Sequence, residues 1–169
     1  MATRPIIYCG YTPEYTETQR LYYKDDKLAG YAAGTWTATW TIPARAVITD
    51  IILCGVALWN AGTTAVLDVG DADDPDGWFS QVDLKGSELS VDAAVNFSHS
   101  GNVEGAYLTS ADTASAATTN RYSASEKTIT ATITTVGTAV STGETIITVK
   151  YAFEPAGAGG MKGSTYLAT

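Results

Sequence analysis

From Gly34 the chain alternates. Trp36, Ala38, Trp40 and Ile42 take one parity, and Thr35, Thr37, Thr39 and Thr41 take the other. A period of two with β-branched residues on the polar side predicts a half-buried strand, which Pro43 ends. AVITDIILCGVALW, residues 46–59, is different. Val47, Ile51, Leu53 and Trp59 share one parity, while Ile48, Ile52, Val56 and Leu58 share the other. Both faces are apolar, which predicts a strand that is central or covered on both sides. NAGTT, residues 60–64, has turn chemistry, so TAVLDVG is expected to return as the second strand of a hairpin. GWFSQVDL, residues 77–84, predicts another strand. In KTITATITTV, residues 127–136, Ile129, Ala131 and Ile133 face away from the threonines. In ETIITVKYAF, Ile147, Val149, Tyr151 and Phe153 form one face.

The remaining stretches are less regular. Residues 86–125 contain short strand-like pieces, AVNF and GAYL, and the low-complexity segment ADTASAATTN reads as loop. Residues 1–33 hold no period. They carry six of the ten tyrosines, interrupted by Pro5, Gly10, Pro13 and Gly30. This pattern suits an extended arm, and Tyr is an economical contact residue with a rigid face and a polar tip. Such an arm either folds back on its own domain or lies across a neighbouring subunit. Ile6, Ile7, Tyr8, Tyr11, Tyr15, Tyr22 and Tyr23 are its candidate partner-binding residues. After Pro155 the Gly-rich AGAGGMKGSTYLAT is expected to be a flexible tail. The chain therefore divides into an arm (1–33), a body (34–155) and a tail (156–169). At least six short strands and no long helix predict an all-β body, a jelly roll first and another β-sandwich or barrel second.

Composition narrows the partners. With 169 residues, 45 % of them hydrophobic, the chain can bury one proper core. Its net charge is −8, and its ten basic residues are spread from Arg4 to Lys162 without a run. Nucleic acid and anionic membrane surfaces both call for clustered Lys and Arg, so neither is an expected partner. The N-terminus has no apolar core of a secretory signal, and the uncharged stretch Ile51–Leu67 is broken by WNAGTT and too short to span a bilayer. A protein made in a cytoplasm is expected. Cys9 and Cys54 belong to no CxxC pair, so zinc spacing is absent. Cys54 lies in an apolar run and is expected to pack as a small hydrophobe.

The one concentration of candidate chemistry is DVGDADDPDG, with Asp68, Asp71, Asp73, Asp74 and Asp76. An EF-hand register fails, because counting back from Gly77 puts Ala72 at the first ligand position. A calcium site on a β-loop and a plain turn both stand. Pro75 and Gly77 suit a reversal between two strands. Asp83, Glu88, Glu104 and Glu144 offer carboxylates for glycoside hydrolysis, but nothing marks a pair. His99, the one histidine, has no GxSxG serine to serve, and the GAGG near the C-terminus lacks the Lys-Ser/Thr of a phosphate loop. Trp36 and Trp40 on one strand face read either as core or as a platform for sugar rings. No catalytic residue, metal or cofactor is assigned.

One segment carries a resemblance. TIPARAVITDIILCGVALWNAGTTAVLDVGDADDPDGWF, residues 41–79, resembles a recurrent module of tailed-bacteriophage virion proteins, notably head decoration (capsid cement) and head-fibre proteins. KTITATITTVGTAVSTGETIITVKYAF resembles it more loosely. The resemblance implies a jelly-roll or barrel body, often a homotrimer on the capsid surface, with the major capsid protein as partner and no catalytic residues. It also implies that the aspartate-rich stretch is a loop of the fold. The implied role is non-enzymatic stabilisation of the capsid from outside, after synthesis in the bacterial cytoplasm. The rivals are a fibre module recognising host glycans and a small β-fold carbohydrate hydrolase.

Overall fold

The structure, a computed structural model, describes residues 14–24, 34–98, 103–109 and 121–152. Within these residues the chain forms β1 (Glu14–Tyr22), β2 (Gly34–Ile42), β3 (Ala46–Ala57), β4 (Thr64–Gly70), β5 (Phe79–Asp83), β6 (Ala94–Val95), α1 (Ala106–Thr109), β7 (Tyr122–Ser123), β8 (Lys127–Val136) and β9 (Glu144–Ala152). One sheet has the order β1-β9-β3-β6, with β7 also paired to β3; the other has the order β2-β8-β4-β5. All pairings are antiparallel. From β1 to β4 the chain crosses between the sheets at every step, and β8 and β9 insert between earlier strands. This is jelly-roll connectivity.

Two sheets each hide one face, so alternation decides the core. Trp36, Ala38, Trp40 and Ile42 of β2 meet Ile129, Ala131 and Ile133 of β8, and all are buried. From the other sheet Ile48, Ile51 and Leu53 of β3 and Ile147, Val149 and Tyr151 of β9 face them. Trp36 and Trp40 are therefore core residues, 8 % and 1 % exposed. Trp36 meets Trp59 edge-on at 4.7 Å, and the Trp59 indole N–H donates to Thr145 Oγ1 at 3.0 Å.

β3 is central, as its two-faced pattern predicts, but a bulge accounts for part of that pattern. The register with β9 shifts between Ile48 and Asp50, so the core-facing parity changes from Ile48 to Ile51 and Leu53. Cys54 departs from expectation. It is a half-buried thiol with no disulfide partner among the described residues, one position out of phase with buried Leu53, and so lies on the outward side of the sheet. The expected hairpin across NAGTT is also not formed. β3 and β4 belong to different sheets, and residues 58–63 carry the chain across the sandwich. GAYL is no strand either. Its last three residues open α1, whose turn closes through Leu108 and Thr109 N–H donating to Gly105 C=O.

Within the stretch read as an arm, Glu14–Tyr22 lies antiparallel to β9 along its whole length, from Glu14 opposite Ala152 to Tyr22 opposite Glu144. For these residues the folding-back alternative holds. Residues 1–13 (with Ile6, Ile7, Tyr8, Cys9 and Tyr11), 25–33, His99, ADTASAATTN and the 156–169 tail lie outside the described residues. No helix among the described residues is long and apolar enough to cross a membrane.

Candidate functional site

The aspartate-rich stretch joins β4 to β5, which pair as an antiparallel hairpin. Its centre is Asp71, the first residue after β4. Asp71 Oδ1 accepts from the backbone N–H of Asp73 (3.0 Å) and Asp74 (3.1 Å), an Asx-type turn, and from the Tyr107 hydroxyl at 2.9 Å. Asp71 Oδ2 accepts from Lys127 Nζ at 2.7 Å. The two side chains are 3 % and 17 % exposed.

Sheet register brings these partners together. β4 and β8 are antiparallel with Gly70 opposite Thr130, so the end of β4 lies beside the start of β8, where Lys127 sits. The third partner arrives on the segment preceding and forming α1. Gly105 N–H donates to Trp78 C=O at 3.0 Å, and Tyr107 N–H donates to Gly77 C=O at 2.7 Å. Tyr107 then packs edge-on against Trp78 at 5.1 Å. A Cβ on Gly70 would strike the backbone of Asp74 and Pro75, and one on Gly105 would strike the backbone of Asp76 and Gly77. Both positions require glycine for close approach.

Two of the other aspartates, Asp68 and Asp76, accept from local donors. Asp68 Oδ1 accepts from Gln81 N–H at 2.7 Å, where Gln81 takes a left-handed φ of 53°. Asp76 Oδ2 accepts from the Ser80 hydroxyl at 2.7 Å. Burial pushes the Asp71 carboxyl up, but hydrogen bonds from Lys127, Tyr107 and Asp74 N–H outweigh it and hold the group below the ordinary carboxylate range. Burial, and next the bond to Asp71, push the Tyr107 phenol well above its ordinary value, so it stays a donor. The Ser80 and Asp74 hydrogen bonds hold Asp76 down, whereas burial and the Asp76 charge push Asp74 up. Among the described residues no group of three or more His, Cys, Asp or Glu is placed to hold a metal ion. Beside the Asp71–Lys127 pair lies an open recess of about 380 Å³, also lined by Asp73, Ser123, Ser125 and Glu126.

Of the carboxylates weighed for hydrolysis, Asp83 and Glu88 adjoin each other, and Glu104 and Glu144 are bound elsewhere. Asp83 accepts from Lys85 N–H and from Ser87, Glu88 Oε2 accepts from Asp83 N–H, Glu104 bridges to Phe79, and Glu144 pairs with Arg20 at 3.6 Å. Of the arm residues, Tyr15 stacks on Tyr151 at 5.7 Å, Tyr22 and Tyr23 meet edge-on at 4.7 Å, and Arg20 lies over the Tyr22 ring. Tyr15 and Tyr23 pack against the core of their own chain. Sequence reasoning missed Tyr107 and Lys127 as partners of Asp71, since nothing local links three residues so far apart.

No family model matches the chain, and no curated protein matches it. Three solved structures are similar in outline. The capsid asymmetric unit of cyanophage Pam1 matches at 14 % identity and a TM-score of 0.48, over 90 % of this chain and 94 % of that one. The acidic stable capsid of Helicobacter pylori bacteriophage KHP30 matches at 13 % and 0.43, over 81 % and 94 %. The capsid of Ralstonia phage GP4 matches at 16 % and 0.42, over 92 % and 93 %. Likeness at this level does not carry a function across.

Proposed function

We propose that this chain is a non-enzymatic structural protein of a tailed-bacteriophage virion, bound to the outside of the capsid as a decoration protein and assembled as a homotrimer. The carrying observation is the resemblance of residues 41–79. In the fold this segment is the end of β2, β3, the crossing between sheets, β4, the aspartate loop and the start of β5, and it supplies Ile48, Ile51, Leu53, Trp59, Leu67, Val69 and Trp78 to the core. Two further observations support the reading. Asp68, Asp71 and Asp76 of the aspartate-rich stretch are engaged by donors of their own chain. The two tryptophans that a glycan-binding fibre module would use are in the core.

In this reading the stretch before β1, with Ile6, Ile7, Tyr8 and Tyr11, reaches the major capsid protein, while β1 fixes its root to the body. A capsid strained by packaged DNA gains from a protein that buries surface across subunit joints, and ordering a terminal stretch on binding subtracts from that gain. The test is co-sedimentation with capsids that lack the protein. Full-length chain is expected to pellet with capsids and to raise their rupture temperature. A chain lacking residues 1–13 is expected to keep its fold but lose most of that binding. Binding to host glycans and none to capsids would replace this reading with the fibre module.

A further inference from the structure

We propose that Lys127 and Asp71 condense to a side-chain amide, a covalent cross-link between the start of β8 and the loop after β4. The arrangement is that of an acyl-transfer site. The nucleophile and the acyl group are already paired, with Nζ 2.7 Å from Oδ2. Three donors converge on the other oxygen: Asp73 N–H, Asp74 N–H and the Tyr107 hydroxyl, at 2.9–3.1 Å. Oδ1 is where negative charge concentrates when an amine adds to the carboxyl carbon, and preorganised donors aimed at such an oxygen are the main source of rate in acyl transfer. The walls are apolar on one side, with Tyr107 packed on Trp78 and Lys127 Nζ 6.0 Å from the Tyr107 ring centroid.

The step balances without a co-reactant. The ammonium passes a proton along its hydrogen bond to Asp71 Oδ2, giving a transient neutral amine and neutral acid. The amine nitrogen adds to Cγ, and its electron pair displaces the C=O π pair onto Oδ1, where the three donors hold it. The nitrogen then loses a proton to Oδ2, the Oδ1 pair returns, and Oδ2 leaves as water. The adjoining recess gives that water a path out. An ammonium and a carboxylate have become an amide and one water, with no oxidant, reductant or metal. Tyr107 contacts the reacting oxygen throughout, and is the residue we assign to stabilising the addition step.

The test needs no variant. Purified full-length protein is denatured and its intact mass measured, fresh and after prolonged incubation, and it is then digested with trypsin. The expected result is a species lighter by one water, growing with time, and a branched peptide joining residues 46–85 to residues 122–150. Lys127→Arg is expected to abolish both. Tyr107→Phe is expected to slow the mass loss at least tenfold while leaving the folded spectrum intact. Asp71→Asn is expected to lose ammonia in place of water. A full, unchanged mass in aged protein, with separate 122–127 and 128–150 peptides, overturns the proposal and leaves a non-covalent ion pair.

Discussion

Asp71 carries more of the local structure than its neighbours in sequence. Replacing it with Ala orphans the Lys127 ammonium and the Tyr107 hydroxyl together. Losing hydrogen bonds to a charged group at a part-buried pair costs about 1.5–3 kcal/mol, so a clear drop in the urea midpoint is expected, read by tryptophan fluorescence. Tyr107→Phe removes one donor and is expected to cost about 1–2 kcal/mol. In the ion-paired chain Asp71, Asp76 and Asp83 are all held below the ordinary carboxyl value of 3.8. Their contribution is complete above that value and lost as pH falls through their lower folded values. Asp68, pushed up mainly by burial, and Asp74 act in the opposite sense and blunt the loss. Denaturant titrations between roughly pH 2 and 5 are expected to show stability falling with acid, less steeply in Asp71→Asn. A condensed amide at Asp71 would remove that share of the slope in the wild type as well. The sequence left Asp71, Asp73, Asp74 and Asp76 as a turn or a calcium loop, and a turn between β4 and β5 is what forms. That one of them anchors three segments was not legible, because its partners come from β8 and α1.

At the scale of elements, legibility followed burial contrast. β2, β8 and β9 alternate cleanly because one face is core and the other is not, and their spans were readable almost to the residue. β1 was not. Its inward positions include Glu17 and Gln19 at the margin of the sandwich, where Glu17 Oε1 accepts from the Tyr151 hydroxyl and the Gln19 amide donates to Thr39 C=O. Polar residues on the inner side erase the period. The false hairpin between β3 and β4 arose because turn chemistry specifies a change of direction and not which sheet receives the next strand. The loop and α1 make their own prediction. Gly105→Ala drives a methyl into the backbone of residues 76–77, and overpacking of this kind costs about 1–3 kcal/mol. Amide exchange in residues 71–80 and 103–109 should rise together, since each segment holds the other.

For the whole molecule, the engagement of Asp68, Asp71 and Asp76 by protein donors predicts indifference to metal. The melting temperature and solution mass should be the same in calcium and in EDTA, as read by calorimetry and light scattering; a trimer that dissociates in EDTA would return the acidic loop to the list of metal sites. Removing residues 1–13 should leave the melting curve nearly unchanged. Removing residues 1–24 strips β1 from β9, uncovers Tyr151 and leaves a bare strand edge, so loss of solubility is expected. The pairing of Glu14 with Ala152 has one more consequence. The first and last described strands finish side by side, within about 5.5 Å between opposed Cα atoms. A two-residue Asn-Gly turn therefore suffices to splice Ala152 to Glu14, closing the chain into a ring that can be reopened at a different loop. The body is in this sense a circular string of strands, and a permuted gene in which β9 runs straight into β1 should encode the same jelly roll.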